Sequence, residues 1–418
     1  MGEILFLTHR VPWPPNRGDK IRSHHILRKL VKHAPVHLAC FADDEAEAAE
    51  NSDLKSSLTS MQIVQRYKPD WRAGIQALAT GKPVSLTSFE STKIRRYVRE
   101  TLNVRAIDCI FVFSGQMAQF IPADYSGRLV MDFADVDSAK FESYADTGFG
   151  PMAWINRREG RLLRAFEQKV AKAADYSLFV SEAEAQLFRG RSGLDEHKVK
   201  ALGNGIDLDF YDPNAVRNAS DEVEPFIGDK ISDKGGPLIL FTGQMDYRPN
   251  VEAVISFSAA VMPKILKHYP DAQFVIAGRA PTADVLRLGE VNGTVVTGRV
   301  DDIRYWLKAA DIVVAPLRIA RGIQNKVLEA MAMGKPVVAS TAAAQGIEAV
   351  DGKHFCIAKD PQHEAELVCE LLADRKRAAA MGHNAHSLMR TAYSWDRRLA
   401  NIADLCGLDA REMAEAAE

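Results

Sequence analysis

Cysteine is scarce and scattered: five among 418 residues, at 40, 109, 356, 369 and 406, with no C-x-x-C pair. An odd, dispersed set suits a reducing cytoplasm better than a disulfide framework or a cysteine-held zinc ion. Cys40 and Cys109 lie in apolar strand-like runs and read as small core residues. No run approaches the roughly 20 apolar residues needed to cross a bilayer. The opening MGEILFL is too short and too early for the hydrophobic region of a signal peptide. Charge of one sign is also missing: the formal net charge is −2, which gives no global pull toward nucleic acid. Neither half has a G-x-G-x-x-G after its first strand, which argues against a nicotinamide dehydrogenase.

What is present is ordinary for a globular enzyme, with 47% apolar and 26% charged residues. Length allows two domains. Short apolar strands alternate with longer amphipathic helices, the pattern of parallel sheets covered on both faces. The first half predicts strands at 4–8, 36–41, 63–66, 109–113, 129–133, 177–180 and 198–202. The alternation breaks at DPNAVRNASDEVEPFIGDKISDKGG, a polar stretch that reads as a linker. It restarts with strands at 238–242, 273–277, 295–297, 311–315 and 337–340. Helices are expected at 362–381 and from 394 to 415. The predicted division is a first domain over 1–212, a linker over 213–236, a second domain over 237–392 and a terminal helix over 393–418.

Residues 310 to 340, ADIVVAPLRIARGIQNKVLEAMAMGKPVVAS, carry the strongest chemical signal. They read as strand, cationic loop, helix and strand, with Arg318, Arg321 and Lys326 near the start of a helix beginning close to Ile323. Helix starts offer unpaired N–H groups and partial positive charge, so the junction suits an anion. Gly322, Asn325, Lys326 and Glu329 share one helical face, while Ile323, Val327, Ala330 and Met331 fall on the buried side. Two cations for a diphosphate and a carboxylate for hydroxyls match a nucleotide-sugar. Alone, a Lys and a Glu three apart would read as a solvated ion pair. Their position beyond a parallel strand's carboxyl end favours a ligand.

Other strand ends carry further candidates. After the first strand, THRVPWPPNRGDKIRS offers Gly18 for close backbone approach and Arg17, Asp19 and Lys20 for an acceptor, with a proline-rich surface loop as the plain alternative. MDFADVDSAKF holds Asp132, Asp135 and Asp137, which read as hydroxyl-binding groups or a base, less readily as metal ligands, and otherwise as helix caps. In TGQMDYRPN, Gly243 permits close approach and Arg248 is a phosphate candidate or part of a helix cap. Gly298, Arg299 and Val300 suit main-chain contacts to a nucleobase. Gly203, Asn204, Gly205 and Asp207 read first as a hinge wall. The helix at 154–175 is rich in arginine and reads as a solvated face, with contact to an anionic membrane as the second reading.

With these residues in view, the chain resembles the family 4 glycosyltransferases. The carriers are THRVPWPPNRGDKIRS, FVSEAEA, LGNGIDLDFY, FTGQMDYRPNVEAV, FVIAGR, TGRVDDI, KVLEAMAMGKPVVAS and YSWDRR. The resemblance implies an α/β fold of GT-B type, two Rossmann-like doubly wound parallel-sheet domains facing across a cleft. It also implies a final helix crossing back to the first domain. More narrowly, the opening and LRIARGIQNKVLEAMA are similar to sugar transferases of bacterial exosortase/PEP-CTERM exopolysaccharide systems. The family's paired glutamates would fall at 321 and 329. Here the first is Arg321, and Glu329 is expected on the ribose. A family histidine before an aspartate is replaced by Ala134, which directs attention to Asp135.

The resemblance implies transfer of a sugar from a nucleoside diphosphate to a glycan or lipid-linked hydroxyl, with retention. The expected catalytic set is Asp135, Lys326 and Arg321. The donor set is Gly18, Gly243, Arg248, Arg299, Val300, Gly322, Asn325, Lys326 and Glu329. No metal or cofactor beyond the nucleotide-sugar is expected, and no nucleic acid. The expected location is cytoplasmic, with the inner membrane face as a peripheral site. An epimerase of the same build, or a silent nucleotide-sugar binder, are the rival readings.

Overall fold

A computed structural model describes residues 2–15, 17–49, 52–216, 223, 236–320 and 323–408. The chain divides into two compact units, one formed by 1–203 with 398–418 and one by 204–397. The division falls nine residues before the expected boundary at 212. The proposed linker at 213–236 lies for the most part outside the described residues.

The first unit holds a seven-stranded sheet: β1 (Glu3–Thr8), β2 (Val36–Ala42), β3 (Ser60–Gln65), β4 (Ile107–Phe113), β5 (Arg128–Ala134), β6 (Tyr176–Phe179) and β7 (Val199–Ala201). Their order is β3-β2-β1-β4-β5-β6-β7, and every pairing is parallel. The central strands are continuous apolar runs because helices cover both faces: Ile4, Leu5, Phe6 and Leu7 are wholly buried. The chain runs outward from β1 to β3 and then restarts beside β1 with β4. That reversal opens a crevice at the carboxyl ends of β1 and β4. The segment beyond 397 also belongs here. Its helix Ile402–Cys406 packs on β4, β5 and the helix Gly18–Leu30.

The second unit repeats the plan with six strands: β8 (Leu238–Thr242), β9 (Gln273–Ala277), β10 (Thr294–Gly298), β11 (Ile312–Ala315), β12 (Val337–Ser340) and β13 (Cys356–Ala358). The order β10-β9-β8-β11-β12-β13 places the reversal between β8 and β11. Strand β13 is absent from the sequence reading because three residues without alternation give no period to detect. The expected helix at 362–381 is two helices, Pro361–Ala373 and Arg375–Ala392, since Asp374 caps the second by accepting from Arg377 N–H at 2.9 Å. The expected terminal helix is likewise broken, into Trp395–Arg398 and Ile402–Cys406, and 409–418 lie outside the described residues.

Two buried carboxylates define how the units tolerate charge. Asp132 on β5 accepts from Arg22 Nε at 2.9 Å and from Ala134 N–H at 3.0 Å, with both side chains of the ion pair buried. The aspartate expected among the site acids is thus a structural partner of the helix Gly18–Leu30. Replacing Arg22 by methionine strands that carboxylate and should cost about 3–5 kcal/mol, measurable by urea unfolding.

Glu364 is buried in the first turn of the helix Pro361–Ala373, and its Oε1 has no hydrogen-bond partner among the described residues. Burial raises its carboxyl to about 8. The folded chain therefore holds a proton that the unfolded chain releases near the ordinary glutamate value. Its contribution is complete below that value and is lost as pH rises toward 8. Glu364→Gln should remove this decline, so its gain in Tm should grow between pH 5 and 8.

Candidate functional site

In the second unit the loops after β8, β9 and β10 are tied into one rim. Gly243 N–H donates to the Ala277 carbonyl at 3.1 Å, Met245 N–H to Arg279 at 2.8 Å and Gly278 N–H to Gly298 at 3.0 Å. A Cβ on Gly278 would sit 1.6 Å from the Gly243 carbonyl oxygen, so the two backbones touch and only glycine fits. The rim borders the reversal point between β8 and β11, where open parallel sheets receive ligands.

Lys326 enters that point from the helix Asn325–Ala332, which follows β11. Its ammonium lies 4.1 Å from the centroid of the Phe241 ring, on β8, and donates to Asn250 Oδ1 at 2.6 Å. Asn250 in turn donates from Nδ2 to the Gln244 carbonyl at 2.8 Å. A Cβ on Gly243 would lie 3.1 Å from the Lys326 nitrogen and 2.8 Å from Asn250 Nδ2. The absent side chain leaves the cation bordered by bare backbone. One turn on, Glu329 accepts from the Tyr211 hydroxyl, and Asn325 Oδ1 accepts from Asn204 Nδ2 at 3.4 Å.

Burial lowers the Lys326 ammonium to about 7, against the pull of Glu329. Burial also raises Glu329, opposed by Tyr211 and Lys326. A lysine that loses its charge near neutrality without a ligand would regain it beside a diphosphate.

Of the expected donor residues, the structure brings together Gly243, Asn325, Lys326 and Glu329. Arg321 and Gly322 lie outside the described residues. Arg299 is exposed beyond β10, and Val300 packs its side chain on the core. Arg248 is exposed and pairs with Glu252 on its own helix at 2.7 Å. The expected cluster of Arg318 with Lys326 is corrected: Arg318 donates to Ser256 Oγ at 2.9 Å and lines a separate 860 Å³ cavity bounded by Phe257, Ser340 and Glu364. The helix begins at Asn325 rather than near Ile323. Asn250, Tyr211 and Phe241 were not singled out from sequence. Asn250 had a weak signal in the R-P-N turn; the others had none.

In the first unit a charged crevice borders β1, β4 and β5. His9, just past β1, lies 3.2 Å from Asp19, which also meets Arg10 and Arg17 at 3.1 Å each. Burial would raise Asp19, but His9 and Arg17 bring its carboxyl down to about 2. Asp19 accepts from Lys20 N–H, and the helix has no side-chain cap. Gly18 opens that helix in an exposed position. Lys20, expected to face an acceptor, is instead buried in an ion pair with Glu47 at 2.5 Å.

At the end of β5, Ala134 takes a φ of 64° and turns the chain into the segment that holds Asp135 and Asp137. Asp137 opens the helix Asp137–Thr147, a helix that the run of acids concealed from the sequence reading. Burial raises Asp135 to about 6, with Glu184 and Asp137 pushing the same way, and its Oδ1 is buried without a hydrogen-bond partner among the described residues. Asp137 is raised by burial, opposed by Lys140 and His9. Among the described residues no three His, Cys, Asp or Glu side chains converge as metal ligands.

This architecture, two parallel-sheet Rossmann-like units, is the GT-B fold of glycosyltransferase structures. Residues 236–374 match the family model described as Glycosyl transferases group 1. Sucrose-phosphate synthase from Thermosynechococcus elongatus aligns over 100% of both chains with a TM-score of 0.71 and 16% identity. Anabaena HepE in complex with UDP and glucose aligns over 96% of this chain and 98% of its own, with a TM-score of 0.67 and 16% identity. A Mycobacterium tuberculosis GDP-mannose-dependent alpha-(1-6)-phosphatidylinositol monomannoside mannosyltransferase is 25% identical over 58% of this chain. That alignment spans 64% of the relative, under two thirds of its length.

A diphosphate held by Lys326 would keep its ammonium protonated above pH 7, so binding should take up a proton. Affinity for nucleoside diphosphates should then weaken as pH rises from about 7 to 9, by up to about tenfold per unit. Calorimetry in buffers of different ionisation enthalpy reads the proton directly. Lys326→Met should bind more weakly and show no such dependence.

Proposed function

We propose that the chain is a retaining glycosyltransferase that moves a sugar from a nucleoside diphosphate to a hydroxyl of a glycan or lipid-linked acceptor. The setting we propose is exopolysaccharide assembly of the exosortase/PEP-CTERM-associated kind, on the cytoplasmic side of a membrane. One observation carries the reaction class: a half-buried lysine stands beside bare glycine backbone at the β8/β11 reversal point. The group 1 match over the same unit supports it. The exopolysaccharide setting rests on the similarity of THRVPWPPNRGDKIRS and LRIARGIQNKVLEAMA to that subgroup.

In this reading Lys326, with Arg321, neutralises the departing diphosphate as the bond between the anomeric carbon and phosphate oxygen breaks. Glu329, already oriented by Tyr211, accepts from the ribose hydroxyls. Gly243, Asn325 and the Arg299–Val300 backbone complete the donor site. The acceptor hydroxyl oxygen forms the new glycosidic bond, and its proton passes to the leaving phosphate on the same face. Asp135 accepts a hydrogen bond from a neighbouring hydroxyl of the acceptor and so orients it, while Asp137, Asp19 and Arg17 hold the acceptor. The charges that develop are met by fixed groups, the term that dominates catalysis of this kind.

With a panel of nucleotide-sugars and a lipid-linked glycan acceptor, Lys326→Ala should reduce kcat by about 100- to 1,000-fold. An unchanged rate would end the proposal. Sugar isomerisation without an acceptor would favour an epimerase, and tight binding with neither transfer nor donor hydrolysis would favour a silent binder. Because ionised Asp135 is the stronger hydrogen-bond acceptor, kcat/KM should rise through about pH 6. Asp135→Asn should lower the plateau and flatten that limb.

A further inference from the structure

The helix Asp70–Thr80 is built inside out. Its two wholly buried positions are alanines, Ala73 and Ala77, while Trp71, Ile75 and Leu78 are 62, 60 and 61% exposed. Those three lie four and three residues apart, so they form one apolar stripe on the outer face. Water-facing helix surfaces normally carry the reverse pattern.

A second exposed apolar group stands close by in the same unit, where the helix Gly150–Ala173 begins. Phe149 is 94% exposed, and Met152, Trp154 and Ile155 are also exposed. Two contacts fix this helix to the first. Arg158 donates to the Ala77 carbonyl at 2.8 Å and to the Lys82 carbonyl at 3.2 Å. Glu159 accepts from Val84 N–H and Ser85 N–H at 2.8 Å each, tying down the turn that follows the helix Asp70–Thr80. The two apolar groups are therefore parts of a rigid surface rather than separate loose side chains.

Arginine predominates in the charge around them. Arg157, Arg161 and Arg164 are exposed along the helix Gly150–Ala173, and Arg72 lies over the Trp71 ring at 5.1 Å to the centroid. Of the acids nearby, Glu159 is buried in its backbone contacts, Glu90 is held by Gln76 and Lys82, and Asp146 stands exposed before Phe149. Exposed tryptophan, phenylalanine and aliphatic side chains bordered by arginine match the boundary between acyl chains and anionic headgroups. A protein partner of ordinary composition would not call for so many cations beside an apolar face.

We propose that the outer face of the helix Asp70–Thr80 and the start of the helix Gly150–Ala173 dock on an anionic lipid bilayer. Trp71, Ile75, Leu78, Phe149, Met152 and Trp154 enter the headgroup boundary, while Arg72, Arg157 and Arg161 pair with lipid phosphates. This deepens the reading of a lipid-linked acceptor, but the contact requires neither donor nor acceptor and can be tested apart from transfer.

The full chain should co-sediment with vesicles of phosphatidylcholine and phosphatidylglycerol, and at least tenfold less with phosphatidylcholine alone or at high salt. Brominated acyl chains should quench tryptophan emission of the unaltered protein, which reports insertion without any substitution. The triple variant Trp71→Ser, Leu78→Ser, Phe149→Ser should lose vesicle binding at least tenfold while keeping its Tm and its affinity for nucleoside diphosphates. Absence of binding to anionic vesicles at low salt would overturn the proposal, as would binding without quenching. Self-association in the absence of lipid, abolished by the same triple variant, would overturn it by assigning the face to a second copy. Loss of transfer with lipid binding intact would count against the enzymatic reading alone.

Discussion

The second unit depends on a single cation held where it is costly to hold one. Lys326 sits against Phe241 and Asn250 at the point where the strand order reverses, and burial there favours its neutral form. Three features make the placement fixed. The rim of loops beyond β8, β9 and β10 is bonded backbone to backbone, Gly243 leaves the space above the ammonium empty of side chain, and the helix face below is packed through Val327, Ala330 and Met331. Protein contacts therefore leave room for an anion to complete the lysine's surroundings. That is why a reaction shedding a diphosphate fits this edge better than a neutral transformation does.

The first unit treats charge differently. At its own reversal point, acids and bases are already mixed: Asp19 is surrounded by His9, Arg10 and Arg17, and Asp132 is neutralised by Arg22. Asp135 stands apart because its neighbours Glu184 and Asp137 share its sign and its Oδ1 lacks a partner among the described residues. The surrounding pairs serve the fold, and Asp135 is the group we propose for an acceptor hydroxyl, as Lys326 is for the diphosphate.

Much of this was legible from the residues. Strands buried on both faces appear as unbroken apolar runs, and five of the six strands in the second unit announced themselves in that way. The face shared by Asn325, Lys326 and Glu329 follows from helical spacing alone. What escaped lacked period or depended on distant partners. Strand β13 is three residues long, and the helix Asp137–Thr147 begins in acids that resemble a loop. Nothing local says that Lys20 will turn inward to Glu47, or that Arg318 will turn to Ser256, because each destination is set by an element far along the chain. The exposed stripe at Trp71, Ile75 and Leu78 was hidden for the opposite reason: its spacing is that of any buried helix face, and only the fold shows which side is out.

The return of residues 398–406 to the first sheet makes one unit continuous in sequence and the other split around it. Gly407 lies against the Arg128 guanidinium, and Cys406 packs beside Cys109 between β4 and its covering helix. During synthesis, the second unit can therefore complete its core before the piece that closes the first has been made. A chain interrupted between 397 and 402 would be expected to spare the second unit and leave the first incomplete.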